Sequence, residues 1–238
     1  MTEPRVLVIV PTYNERANVP VLIDGLMQHK GVRVLVVDDQ SPDGTGEVAD
    51  ALARQYAGRV EVMHRTGPRG LGRSYLDGFR KAAGADVDVV CQMDADLSHD
   101  PAQLPALMAG ATRADVVIGS RYVAGGAIVN WPHRRRLLSR FANLYIRTVT
   151  RLRVRDCTSG YRCWRCAALA GLPLDRIRSE GYSFLIETLF MAARGGARVA
   201  EVPITFVERR QGESKLSRGV IVESIWKPWL LVTSSRTE

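Results

Sequence analysis

Val87-Asp88-Val89-Val90-Cys91-Gln92-Met93-Asp94-Ala95-Asp96-Leu97-Ser98-His99-Asp100-Pro101 decides how the rest of the chain is read. The apolar, β-branched run from Val87 to Met93 stops on two aspartates spaced two apart. Asp100 before Pro101 then starts a helix, a capping carboxylate followed by proline at the first helical position. The stretch is a buried strand, an acidic loop and a helix, in that order. The same alternation extends outward. Val6 to Val10, Val32 to Val37, Val60 to Met63 and Asp115 to Ser120 are further strands of this kind. Val19 to Gln28, Thr45 to Gln55, Gly72 to Ala83 and Pro101 to Met108 have helical apolar spacing. This pattern predicts an α/β fold, a mostly parallel sheet flanked by helices. Right-handed crossovers bring the loops after the strands to one edge, where ligands bind in such sheets.

The 238 residues carry 33 Lys and Arg against 25 Asp and Glu, a net charge of +8, and only four of the 33 are lysines. With 46% hydrophobic residues the composition excludes disordered, collagen-like and disulfide-scaffold chains. An arginine excess favours polyanionic partners, because the planar guanidinium matches phosphate oxygens. Cys163-Trp164-Arg165-Cys166 is a lone C-x-x-C with no second ligand pair, and Cys91 and Cys157 stand apart. The four are therefore expected as reduced thiols of a cytoplasmic protein. The N-terminus lacks the pattern of a signal peptide. The longest apolar candidate, Gly219 to Val232, is broken by Glu223, Lys227 and Pro228, so no membrane-spanning helix is expected.

After Arg121 the alternation stops. Arg134 to Arg153 has a basic amphipathic helix pattern, with Leu137, Leu138, Phe141, Leu144, Tyr145, Val149 and Leu152 near one face. A polar turn (Asp156 to Tyr161), a helix around Phe184 to Ala193, and a strand pair near Val199 to Val207 follow. With no linker or repeat in the chain, residues 1–238 are expected to form a single domain. Residues 1–120 carry the strand–helix alternation, and 121–238 form a second half of different pattern.

Asp94 and Asp96 at a strand's carboxyl end can aim two carboxylates at one hard cation, Mg2+ or Mn2+, that also takes diphosphate oxygens. A second acidic loop, Val37-Asp38-Asp39-Gln40-Ser41-Pro42-Asp43-Gly44-Thr45, follows the second strand. Asp43-Gly44 there makes a turn, and Thr45 is placed to cap the next helix. The first loop, Pro11-Thr12-Tyr13-Asn14-Glu15, offers a ring and a carboxylate to a nucleoside. Neither G-x-G-x-x-G nor a P-loop occurs.

Together these motifs resemble the family 2 inverting glycosyltransferases, specifically the polyprenol-phosphate (dolichol-phosphate) mannose synthases. Gly70-Leu71-Gly72, Gly119-Ser120-Arg121-Tyr122, Asn130-Trp131-Pro132, Arg135 to Ser139, Thr158-Ser159-Gly160-Tyr161-Arg162 and Gln211-Gly212-Glu213-Ser214-Lys215-Leu216 continue the match along almost the whole chain. The resemblance implies an A-type glycosyltransferase fold, GDP-mannose as donor and a polyprenyl monophosphate as acceptor. It also implies residues 1–120 as the nucleotide-sugar-binding half and 121–238 as the acceptor and membrane-surface half. By position it implies Pro11, Tyr13, Glu15, Val37 and Asp39 in the nucleotide pocket, and Asp94, Ala95 and Asp96 at the metal–diphosphate site. Ser98 would be a further metal-side ligand, although relatives often have glutamine there. Arg121, Arg135 and Ser139 would hold the lipid phosphate, and Arg209 and Lys215 the donor phosphates. Asp96, Arg121 and Arg135 are the residues expected to carry catalysis.

The chemistry is consistent on its own terms. A phosphate monoester has a second pKa near ~6 and is largely a dianion at neutral pH, so it attacks without a general base. Asp156 is accordingly read as a positioning group. Gly70-Leu71-Gly72 is read as a tight turn with no chemical role. Arg134-Arg135-Arg136, Arg140 and the nearby tryptophans Trp131, Trp226 and Trp229 are read as a docking surface for an anionic membrane. That makes a peripheral protein on the cytoplasmic membrane face, with a membrane-anchored protein partner left open. Transfer of glucose or another sugar is the alternative within the class. A basic nucleic-acid-binding module is the alternative outside it, disfavoured because acidic loops repel phosphate; no nucleic acid partner is expected.

Overall fold

In the computed structural model, which describes residues 4–208 and 226–233, strands and helices alternate from Val6 onward. β1 (Val6–Thr12), β2 (Val32–Asp38), β3 (Val60–His64), β4 (Val89–Gln92) and β5 (Val116–Ser120) are separated by helices. These are α1 (Asn18–Met27), α2 (Thr45–Gln55), α3 (Leu71–Ala83) and α4 (Leu104–Gly110). The segment expected as one helix from Pro101 is a 3-10 turn at Pro101–Gln103 that passes into α4. Asp100 caps it as expected, its carboxylate accepting the Ala102 N–H at 2.9 Å.

The second half adds β6 (Ala127–Val129), α5 (His133–Thr150), β7 (Arg162–Arg165), α6 (Cys166–Ala170), α7 (Gly181–Arg194), β8 (Val199–Pro203) and β9 (Thr205–Val207). Residues 226–233 are also helical. The main sheet has the order β3-β2-β1-β4-β7-β5-β8, every pairing parallel except those of β7. Period-two alternation gives it two buried faces. Ile9, Leu35, Val37, Val90 and Ile118 pack with Tyr75, Phe79 and Phe184. Val8, Val10, Val34, Val36 and Val117 pack with Leu22, Leu26, Leu104 and Leu107 on the other side.

Four expectations are corrected. The segments near Val199 to Val207 do not pair with each other: β8 joins β5, and β9 forms a separate parallel ribbon with β6. The cysteines are not all reduced thiols. Antiparallel pairing of β4 with β7 sets Cys91 opposite Cys163, Cα atoms 4.1 Å apart, and they form a disulfide; Cys157 and Cys166 are free. The basic helix stops at Thr150, where Arg151 turns left-handed at φ 58°. Its apolar residues are also divided. Leu137, Leu138, Phe141 and Leu144 are exposed, whereas Leu152, just past the helix, is in the core.

The strand order reverses between β1 and β4, so the crevice beyond their carboxyl ends is the topological switch point where such sheets bind ligands. Because β7 runs against its neighbours, the turn before it, Asp156 to Tyr161, arrives at that same edge. Arg162 then sits level with Gln92 on one side and Ile118 on the other.

Candidate active site

Three loops leave the carboxyl ends of β1, β2 and β4. Each contains one non-glycine residue in the left-handed region: Asn14 and Gln40 at φ 60° and Leu97 at φ 61°. For a leucine this costs roughly 1–2 kcal/mol, and it turns the chain sharply between Asp96 and Ser98. In the β2 loop the two aspartates have separate tasks. Asp38 is structural, accepting the Thr12 hydroxyl at 3.1 Å and the Ser41 hydroxyl at 2.6 Å. Asp39 pairs with buried Arg65 and takes the Gly70 N–H at 2.7 Å, so its carboxylate is fixed at the cavity wall. Thr45 is the first residue of α2 and does not cap it: Gly44 stands at the N-cap with no side-chain bond, and the Asp43 carboxylate accepts the Thr45 N–H at 3.0 Å. The Thr45 hydroxyl instead accepts the Glu15 N–H at 3.0 Å and ties the first loop down.

Asp94 and Asp96 are held by their surroundings. The Tyr75 hydroxyl donates to Asp94 Oδ1 at 3.0 Å, with the Tyr75 ring stacked on Phe184. Burial, and then the Asp94 charge, push the Tyr75 phenol well above its ordinary pKa, so it stays a donor. The Asp94 N–H donates to His99 Nδ1 at 3.1 Å, and that buried ring is stacked on Tyr161. Asp96 Oδ1 accepts both the N–H and the hydroxyl of Ser98. Ser98 thus acts on Asp96 through its own hydroxyl. A Cβ at Gly160 would come within 3.1 Å of Asp94 Oδ2, so the Thr158-Ser159-Gly160 turn lies close against the carboxylate. Among the described residues no group of three or more His, Cys, Asp or Glu forms a metal cage. Two hard carboxylates beside an open cavity fit Mg2+ or Mn2+ completed by diphosphate oxygens and water.

The second half supplies the cations. Arg121 meets Asp156 through Nε and Nη2, each at 2.7 Å. Its backbone N–H reaches Asp156 at 3.0 Å, and Nη2 also reaches the Thr158 hydroxyl at 2.8 Å. Burial alone would raise the Asp156 pKa; the Arg121 charge and hydrogen bonds outweigh it, and the net shift is downward. Asp156 is thus a fixed carboxylate and a poor base. Arg162 is wholly buried and donates to the carbonyls of Cys157 (2.8 Å), Ser159 (2.8 Å) and Leu185 (2.6 Å), which fastens the turn to α7. Burial lowers its pKa to about 10. Arg135 pairs with Glu208 and lies 4.1 Å from the centre of the Trp131 ring.

One cavity of about 650 Å³ collects these groups. Pro11, Tyr13, Glu15, Asp39, Asp94, Ala95, Asp96, Ser98, Arg121 and Arg135 all line it. Val37 and Ser139 do not: Val37 is a core residue of β2, and the Ser139 hydroxyl accepts the Tyr122 hydroxyl at 2.7 Å. Arg209 and Lys215 lie outside the described residues. Arg69, His99, Glu180, Tyr182 and Glu208 line the cavity without having been expected, and Trp131, expected at the membrane surface, is buried against the cavity instead. Glu180 also gives Gly70-Leu71-Gly72 its reason. Its carboxylate accepts the Gly72 N–H at 3.0 Å, and a Cβ on Gly70 would collide with it at 2.5 Å. Nothing in the local pattern links residues 108 positions apart.

Comparison with known proteins agrees with this geometry. The family model "Glycosyl transferase family 2" matches residues 7–172. The undecaprenyl-phosphate mannosyltransferase of Micrococcus luteus is 48% identical over 222 residues, covering 93% of this chain and 91% of that protein. The polyprenol monophosphomannose synthase of Mycolicibacterium smegmatis is 47% identical, covering 94% and 85%. The dolichol-phosphate mannosyltransferase of Pyrococcus furiosus is 40% identical, covering 92% of this chain and 61% of that longer protein. Among solved structures, glucosyl-3-phosphoglycerate synthase from Mycobacterium tuberculosis, with Mn2+, UDP and phosphoglyceric acid bound, superposes with a TM-score of 0.68. It is 18% identical and covers 95% of this chain and 78% of that one, a likeness of fold. The chain belongs to glycosyl transferase family 2, on its branch of polyprenol-phosphate mannosyltransferases.

Proposed function

We propose that this glycosyltransferase moves mannose from GDP-mannose to a polyprenyl monophosphate with inversion, giving a polyprenyl β-mannosyl phosphate and GDP. The observation that carries the reading is that two carboxylates suited to a metal–diphosphate and two arginines suited to a phosphate share one cavity. The acceptor phosphate oxygen forms the new bond to the anomeric carbon as the bond to GDP breaks, and GDP leaves with the electron pair. The attacking dianion carries no proton on that oxygen, so no base is needed. Pro11, Tyr13, Glu15 and Asp39 form the nucleoside end of the site, and Val37, a core residue, backs it. Asp94 and Asp96, supported by Ser98, hold the divalent metal, which when bound neutralises charge on the departing diphosphate. Arg121 and Arg135 hold the acceptor phosphate and screen its repulsion from the donor. Ser139, Arg209 and Lys215 are assigned to phosphate contacts by resemblance. The division of labour between residues 1–120 and 121–238 is part of the same proposal.

Labelled GDP-mannose, polyprenyl phosphate and Mn2+ incubated with the protein should yield label in the lipid extract, and the mannosyl phosphate should be the β anomer. An α-linked product, or equal transfer from UDP-glucose, would refute the assignment.

The acceptor's prenyl chain stays in lipid, so the cavity has to reach a membrane surface. We assign this to α5 at the cytoplasmic face. Leu137, Leu138, Phe141 and Leu144 are each more than half exposed, and Arg134 and Arg140 are exposed beside them. Trp226, Trp229 and Leu230 are also exposed on a helix fastened by buried Leu231 and by the Lys227–Glu187 pair at 3.3 Å. No described helix is long and apolar enough to cross a membrane. Arg136, expected at the lipid, turns inward and donates to the Ile128 carbonyl at 2.9 Å. The informative variant is therefore R134E/R140E. Each basic residue near an anionic surface contributes on the order of 1 kcal/mol, so binding to phosphatidylglycerol vesicles should fall by at least about tenfold. GDP-mannose binding should persist. Unchanged co-sedimentation would remove α5 as the docking surface.

A further inference from the structure

Arg135 has a partner that its role as a phosphate ligand does not explain. Its Nη1 is ion-paired with Glu208 Oε1, and both side chains line the cavity. Glu208 directly follows β9. Its N–H donates to the Val129 carbonyl at 3.2 Å, so the β6–β9 ribbon sets where the carboxylate stands. The ribbon is itself tied to the metal-motif loop through the Val207 N–H and the Ser98 carbonyl. The second cavity arginine offers a contrast. Arg121 and Asp156 form a sealed pair, 5% and 0% exposed, whereas Arg135 and Glu208 are 29% and 32% exposed. One carboxylate is built in. The other is reachable by solvent and by a ligand.

We propose that Glu208 is an exchangeable counter-ion that occupies the place of the acceptor phosphate on Arg135, and thereby selects phosphomonoester dianions over phosphodiesters. The inference rests on the reading of Arg135 as an acceptor-phosphate ligand. A carboxylate held by its own backbone competes as an intramolecular ligand, at a high effective concentration. A phosphodiester headgroup carries one negative charge, the same as Glu208, and gains nothing electrostatically by displacing it. A monoester near neutral pH carries almost two charges and three acceptor oxygens, so it exchanges favourably. Bulk membrane lipids are phosphodiesters in large excess over any polyprenyl phosphate. An arginine exposed to them without a counter-ion would collect the wrong headgroup, and an internal competitor is a form of discrimination against it. Trp131, stacked on the guanidinium, keeps Arg135 in place while the anion is exchanged.

The test uses the full chain and Glu208→Gln, which keeps the size and removes the charge. In non-ionic detergent, mannolipid formation is measured against polyprenyl phosphate concentration, with and without a large excess of phosphatidylglycerol. Loss of a partly exposed pair should lower the variant's KM for polyprenyl phosphate by about two- to fivefold in detergent alone. Phosphatidylglycerol should then raise the variant's KM by a clearly larger factor than that of the unmodified protein. Glu208→Asp should restore resistance to phosphatidylglycerol. Calorimetric titration with farnesyl phosphate and with a diester of similar chain length reads the same selectivity without donor or turnover. Failure of mannosyl transfer and failure of this inference are thus distinguishable. A monoester-to-diester affinity ratio equal in the Gln variant and the unmodified protein would overturn the proposal, as would a Gln variant whose KM rises in detergent alone.

Discussion

Asp94→Asn and Asp96→Asn are each expected to lower kcat by about a hundredfold or more, with the fold intact. The described hydrogen bonds survive the change: Asp94 accepts from the Tyr75 hydroxyl and Asp96 from the Ser98 hydroxyl. An asparagine can accept the same hydrogen bonds through its amide oxygen. The change is one of charge, and it removes one of the two carboxylates assigned to the metal, with no third His, Cys, Asp or Glu grouped with them to share it among the described residues. Mn2+ binding followed by electron paramagnetic resonance should weaken in step with turnover, and the melting transition should stay close to that of the unmodified protein. Ordinary turnover by either variant at sub-millimolar metal would end the assignment of these residues to the metal.

Why the acidic pair could be located from sequence alone follows from the sheet. A parallel strand buried on both faces must be apolar over its length, so polar residues that end it fall on the loop edge. Val89 to Gln92, with Asp94 and Asp96 beyond, shows that rule, as do Val32 to Val37 and Asp39. The groups with no local signal are those placed by long-range register. β7 is four residues with arginine at both ends, and no strand was expected there. It lies in the middle of the sheet because Arg162 gives its donors to three carbonyls of the site turn and α7. Cys91 and Cys163 meet through that same register, 72 positions apart, so nothing in the spacing along the chain marked the pair and reduced thiols were expected. Glu180 on Gly72 and Glu208 on Arg135 are likewise contacts between distant segments, and both lie in the cavity. The local pattern fails most at the site because its groups come from both halves of the chain and are brought together by topology.

Asp156→Asn should destabilise the protein by about 3–5 kcal/mol and remove most activity, for separable reasons. The amide would leave the Arg121 guanidinium 5% exposed with no counter-charge, the costly way to break a buried pair. In either orientation the amide N–H2 would face a donor nitrogen of Arg121, and only one side of the bidentate bond would survive. The pH dependence has a definite sign. The Asp156 pKa lies below its ordinary value in the fold, because the Arg121 charge and hydrogen bonds exceed the effect of burial, and near ~3.9 in the unfolded chain. The unfolded state therefore binds the proton more readily. The stability contributed by Asp156 is fully present above about pH 5 and fades as the pH falls through the folded pKa. The difference in unfolding free energy between the unmodified protein and Asp156→Asn should be level from neutral pH to about pH 5 and shrink on further acidification. Replacing both partners, as R121M/D156L, removes the buried charge along with its counter-ion and should recover much of the lost stability. It should recover no activity, because the acceptor phosphate still lacks one of its two arginines. Recovery of turnover in the double variant would show that Arg121 serves the fold and not the phosphate. A melting transition unchanged in Asp156→Asn would show that the pair is not closed to water.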